Sequence, residues 1–153
     1  NSHQTTMKLQ ELHEQDQTAW LEEMAGLLRE QRYEELDSSN LETFLLEMAQ
    51  RERREVKSRL TVLLTHLLKF DYQPEHRSRS WQVTILHQRQ ELYDLLESAT
   101  LKNYFLTIIE SAYANAVKRA ALETGLAETV FPETGPYSVT QILGEETPDK
   151  TNP

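Results

Sequence analysis

No cysteine occurs in the 153-residue sequence. Thiol catalysis, thiolate zinc sites and a disulfide-stapled secreted scaffold are therefore excluded. Glycine and proline are scarce, at four and five residues, too few for the turns of a β-sandwich or barrel. Valine and isoleucine number six and four against 23 leucines, a balance that favours helix over strand. Long apolar runs are missing too. The greasiest stretch, Leu60 to Phe70, is too short to span a bilayer and carries His66 and Lys69. The first twenty residues lack the apolar core of a secretory signal, so the expected location is cytoplasmic, without membrane attachment. What remains, 38% hydrophobic and 27% charged, describes a folded globular chain long enough to bury a core unaided.

Positive charge is in short supply overall, with a formal net charge of −9, which argues against general adhesion to nucleic acid or anionic lipid. Its distribution is uneven. Residues 1–50 hold three basic and eleven acidic side chains, residues 51–89 nine and four, and residues 90–153 four and ten. A basic strap thus lies between two acidic flanks.

Helical periodicity dominates what is present. Trp20, Leu21, Met24, Leu27 and Leu28 make one apolar stripe on a first helix at about 18–31. Tyr33 to Ser38 reads as a polar connector. Ser39 followed by Glu42 is a capping-box pattern opening a second helix at about 40–69, either continuous to near Pro74 or broken near Arg51. Ser78 or Ser80 can cap a third helix at about 80–97, and Thr100 a fourth at about 101–124. Gly125 suits the left-handed position that ends the fourth helix, with Leu126 folding back on it. Ser138, Gln141 and Gly144 bracket a short fifth. The expected fold is an all-α, single-domain bundle of four to five helices with one long second helix. Its domain runs over residues 11–144. Residues 1–10 are expected to be disordered or in part cloning-derived, and 145–153 a disordered tail.

The motifs of common enzyme chemistry are not found. There is no glycine-rich phosphate loop and no Gly-x-Ser-x-Gly elbow. The histidines, His3, His13, His66, His76 and His87, include no i, i+4 pair that would set two imidazoles on one helix face. No catalytic residue, metal ligand or cofactor is therefore assigned. Two features do draw attention. Arg51, Arg53, Arg54, Lys57, Arg59, Arg79 and Arg89 form a basic surface that could contact nucleic acid, with aromatics interleaved. The same face is equally a solvated one laced by Glu47–Arg51 and Glu55–Arg59 pairs.

The second feature is the segment from His66 to Trp81, dense in side chains of specific geometry. Positions 59, 63, 66 and 70 form one helical row, so His66 lies between Leu63 and Phe70 at the edge of the apolar stripe. An imidazole held there needs a partner. Glu123, an acid where the dipole of the fourth helix disfavours it, needs cations, and His66, Lys69 and Arg77 are at hand. His66, Arg77, Tyr113 and Glu123 are expected to converge, with Lys69 nearby. Trp81 is expected beside them as a core anchor with its indole N–H met from the Ser78 to Gln82 region.

The runs His66-Leu-Leu-Lys69, Tyr72-Gln-Pro-Glu75 and Arg77-Ser-Arg-Ser-Trp81 carry a family resemblance. So do Glu14-Gln-Asp16 with Trp20, Leu27-Leu-Arg29, Leu36-Asp37, Tyr113, Ala116, Glu123-Thr-Gly-Leu126, Phe131-Pro-Glu133 and Pro136. Together they resemble domain of unknown function family 29 (DUF29), an uncharacterised family abundant in cyanobacteria, over about residues 12–143. The resemblance implies an all-helical fold and no assigned activity. The family pattern is denser in acids on the second helix, where this chain has Thr43, Phe44 and Leu46. It also has an acidic–basic pair on the fourth, where Asn115 and Val117 stand. A metal site built on those carboxylates is not expected here. The functional expectation is a small helical interaction module without catalytic activity, binding a protein partner or itself. The alternatives are a nucleic-acid-associated regulator, toxin–antitoxin-like, using residues 51–89, and an enzyme of unknown reaction.

Overall fold

The computed structural model describes residues 2–145, with side chains from Lys8 onward. Six α-helices follow in chain order: α1 (Ser2–Gln15), α2 (Gln17–Arg29), α3 (Ser38–Tyr72), α4 (Arg79–Leu95), α5 (Ala99–Thr124) and α6 (Val139–Leu143). Single 3-10 turns occur at Tyr33–Glu35, Pro74–His76 and Glu128–Val130. The described residues contain no strand. The all-helical class stands as expected. α1 is additional, and it takes in a stretch whose polar sequence shows no stripe. The expected tail, beyond Glu145, lies outside the described residues.

The chain divides into two compact units, Asn1–Arg51 and Glu52–Pro153, where the periodicity suggests one domain. α3 is a single unbroken helix of 35 residues, but its residues 45–52 are exposed throughout, and the buried apolar side chains fall into two separate clusters.

In the first unit Leu9, Trp20, Met24 and Leu27 are buried, with Leu12, Leu21, Leu36, Leu41 and Phe44 around them. The Trp20 indole N–H donates to Asp37 Oδ2 at 3.1 Å, and Asn40 Nδ2 donates to the same oxygen at 2.8 Å. Asp37 is only 3% exposed, so the supposed polar connector ends in a buried carboxylate held by two donors. Its carbonyl accepts the first amide bond of α3, from Leu41. Asp37 thereby takes the capping position that the Ser39–Glu42 pattern suggested for Ser39, which lies inside the helix. The His13 and Trp20 rings meet edge to face, 4.8 Å between centroids.

In the second unit α3 contributes Val56, Leu60, Leu63, Leu64 and Leu68 to the core, α4 Ile85 and Leu92, and α5 Leu101, Phe105, Ala112, Tyr113, Ala116 and Ala120. Alanines at 112, 116 and 120 form one i, i+4, i+8 row, and their small side chains let a neighbouring backbone approach closely. Ser78 Oγ accepts from Trp81 N and caps α4. At α5 the capping hydroxyl is Ser98, accepting from Leu101 N. Thr100 sits within the helix, because the turn 96–98 delivers the chain two residues earlier than the apolar pattern implied. α6 has the expected capping box of Ser138 and Gln141. Arg89 donates to the carbonyls of Gln141 and Ile142 at 3.0 and 2.9 Å, fastening the end of α6 to α4.

Gly125 ends α5 at φ 77°, and no atom would meet a Cβ there. The cost of Gly125→Ala is therefore conformational alone, about 1 kcal/mol, and urea denaturation should show it. Asp37→Ala should cost more, about 1–3 kcal/mol, by leaving the buried Trp20 N–H unpaired. An unchanged denaturation midpoint for Asp37→Ala would contradict the bond.

Candidate functional site: a polar seam and a basic groove beside α3

Within the second unit, Lys69 of α3 and Glu123 of α5 meet at 2.8 Å, and the ammonium sits 5.0 Å over the Trp81 ring of α4. Arg119 reaches the other carboxylate oxygen at 3.8 Å. The Lys69 bond holds the Glu123 carboxyl below its ordinary value of 4.5, with Arg119 and His66 adding weaker attraction. Of the cations expected to hold this acid, Lys69 makes the direct contact. His66 Nδ1 instead donates to the carbonyl of Val62, one turn back, at 3.0 Å. Its i−4 carbonyl is the nearest acceptor a helical histidine can find.

Arg77 and Tyr113 part from the expected convergence. Arg77 donates to the Phe70 carbonyl at 2.7 Å and stacks on the Phe70 ring at 4.3 Å. It closes the α3–α4 corner, where orphan carbonyls at the helix end want donors. Tyr113, buried, donates to the Pro132 carbonyl at 2.6 Å. Burial raises its phenol, with Tyr72 and Glu110 adding to the effect. Trp81 is half-buried and stands outside the core cluster, which corrects its assignment as a core anchor. Its ring carries Lys69. The fully buried tryptophan is Trp20. A neighbouring hydroxyl, Tyr137, donates to Asp71 at 2.7 Å, and burial together with that acceptor pushes it well above the ordinary phenol range.

The expected basic surface separates into members that are engaged and members without an ion-pair partner among the described residues. Arg59 is spent on Glu55, Glu91 and Gln88. Arg89, whose burial lowers its pKa, is spent on α6. Arg54 and Lys57 are different. They line a groove of about 590 Å³ together with Ser58, Thr61 and Tyr104, and with Asn115, Lys118 and Arg119 of α5. Four cations and no carboxylate line it. Lys118 and Arg119 lie in a chain segment of net negative charge, which hid them from a count of charges along the sequence. Their i, i+3 and i, i+4 relation to Asn115 was the available signal.

The other flank of α3 has the opposite sign. Glu52, Glu55, Glu91, Asp94 and Glu97 line a second groove of about 490 Å³. At 100° per residue, Glu52 and Glu55 lie on one side of the buried stripe of α3, and Arg54 and Lys57 on the other. A third groove, about 640 Å³, is lined by α5 and by Phe131 and Pro132, and Glu110, Lys118, Glu128 and Glu133 are its charged members. No group of three His, Asp or Glu placed to hold a metal is found among the described residues. No helix among them is long and apolar enough to cross a membrane.

The fold and its charged grooves define an all-helical protein with polarised flanks along one long helix. The chain belongs to the family described as domain of unknown function DUF29, whose model matches residues 12–147. No curated protein and no solved structure matches it.

The Lys69–Glu123 pair has a pH signature. A carboxyl with a lowered folded pKa stabilises fully above its unfolded value of 4.5 and loses that contribution as pH falls through the lowered value. The melting-temperature gap between wild type and Glu123→Gln should be widest near neutrality and close in acid below pH 4.5. A gap that does not change with pH would disprove the pairing.

Proposed function

We propose that the chain is a helical interaction module that docks an acidic segment of a protein partner in the groove between α3 and α5, by binding and without chemistry of its own. The observation that carries this reading is the groove lined by Arg54, Lys57, Lys118 and Arg119 with no carboxylate among its walls. Three of the four have no ion-pair partner among the described residues, and Arg119 has only the 3.8 Å contact with Glu123. Unpaired cations converging on one concavity attract an anion and set its orientation, while adding more to association rate and specificity than to affinity.

A carboxylate-bearing peptide suits the site better than a nucleic acid. The groove follows residues 54–61 of α3, seven steps of about 1.5 Å each, so roughly 10 Å. A polyphosphate strand would extend past it on to a protein of net charge −9, where its charge meets repulsion. A short acidic segment ends where the cations end. Tyr104, in the groove wall, offers its ring to whatever lies across it.

The test is fluorescence anisotropy with a labelled glutamate-rich peptide and an oligothymidylate of matched charge. The peptide should bind with a steep loss on adding salt. Arg54→Glu with Lys118→Glu, both exposed positions, should weaken it by about tenfold or more without altering the helical circular dichroism. Equal binding by the reversed protein, or tighter binding of the oligonucleotide, would refute the reading.

A further inference from the structure

α4 turns to solvent a stripe that its own unit leaves uncovered. Val83, Leu86 and Tyr93 are 58%, 57% and 60% exposed, while Ile85 and Leu92 of the same helix are buried. The exposed positions Arg79, Val83, Leu86, Gln90 and Tyr93 follow one another in steps of four, three, four and three. That is the spacing of a seam along which two helices coil. Apolar side chains at the middle of such a seam, with charge at its two ends, match a helix partner.

The end charges oppose the dipole of their own helix. A cation stabilises a helix near its C-terminus and an anion near its N-terminus. α4 has Arg79 at its first position and no acid in its first turn; Asp94 stands in its last turn, Glu97 just beyond, and no base is there. A second α4 laid antiparallel removes both conflicts, since Asp94 and Glu97 of each copy then flank the N-terminus of the other.

We propose that α4 pairs antiparallel with α4 of a second copy of this chain, about a two-fold axis level with Gln88. In this register Val83 faces Tyr93 of the second copy, Leu86 faces its Gln90, and Arg79 comes beside its Glu97, with each contact repeated by symmetry. A recess of about 310 Å³ lined by Leu67, Phe70, Gln82, Ile85, Leu86 and Arg89 opens beside the seam, at the level where the Tyr93 ring of the second copy arrives. Arg79 of the second copy brings a cation to the acidic groove that Asp94 and Glu97 line. A parallel pair would instead set Arg79 against Arg79 and acid against acid. The surface is separate from the α3–α5 groove, so the pairing stands or falls independently of what that groove binds.

Sedimentation equilibrium of the full chain should show a mass that rises from monomer to dimer with concentration. Leu86→Glu, at an exposed position, should hold it monomeric with unchanged circular dichroism. Orientation is read by cross-linking, for which the cysteine-free chain is suited. Val83→Cys mixed with Tyr93→Cys should give mainly the mixed disulfide dimer on mild oxidation. A wild-type chain monomeric at every attainable concentration would overturn the proposal, as would a dimer that Leu86→Glu leaves intact. Preferential Val83→Cys homodimers would overturn it too, because they report a parallel pair.

Discussion

Burial of one stripe of α3, Val56, Leu60, Leu63, Leu64 and Leu68, constrains everything else in the second unit. Each of these side chains is removed from water almost completely, and truncating any one to alanine would typically cost about 1–5 kcal/mol. A helix can offer the core only one such face. Once it is spent, the flanks of α3 are committed: Glu52 and Glu55 fall on one side, Arg54 and Lys57 on the other. The neighbouring helices complete each flank with like charge, Glu91 and Asp94 from α4 and Lys118 and Arg119 from α5. Two grooves of opposite sign therefore arise directly from the packing. The four cations lining the basic groove repel one another across it, whereas Arg59 partly offsets the carboxylates of the acidic one through Glu55 and Glu91.

Polar contacts at the helix corners secure that arrangement. Lys69 ties α3 to the end of α5 through Glu123 and lies on the ring of Trp81. Arg77 fills the carbonyl of Phe70 at the end of α3, and Arg89 fills those of α6. The two arginines give donors to backbone carbonyls in the last turns of α3 and α6, where intrahelical partners run out. The segment from His66 to Trp81 is thus rich in polar side chains because it turns a corner between two helices. Arg77 and Ser78 find partners within the segment, while His66, Lys69 and Asp71 are met by Val62, Glu123 and Tyr137 outside it.

Much of the architecture was legible in the amino-acid sequence. The presence and order of α2 to α6 followed from apolar spacing and capping residues, and Gly125 and the Ser138–Gln141 box were signalled by chemistry that few other residues satisfy at those positions. What escaped depended on distance along the chain. Asp37 reads as a connector residue until Trp20, 17 positions earlier, brings its indole to it. Lys69 is one of three cations the sequence offers to Glu123, and only the fold, which brings together residues 54 positions apart, selects it over His66 and Arg77. The basic groove was half visible: Arg54 and Lys57 stood in the basic strap, while Lys118 and Arg119 were hidden in an acidic stretch. Arg59 and Arg89 counted equally with Arg54 in sequence, and only the fold shows them already engaged. α1 has too polar a sequence to declare a face, and Leu9 and Leu12 find theirs only against Trp20 and its neighbours.

The central claim is that charge on the α5 flank of α3 is a binding surface and not a by-product of solvation. Amide chemical-shift mapping tests it most directly: the isotope-labelled chain titrated with an unlabelled glutamate-rich peptide. The account predicts shifts concentrated at residues 54–61 and 104–119, with residues 91–97 of the acidic flank unmoved. Shifts centred on 91–97, or spread evenly over the surface, would contradict it.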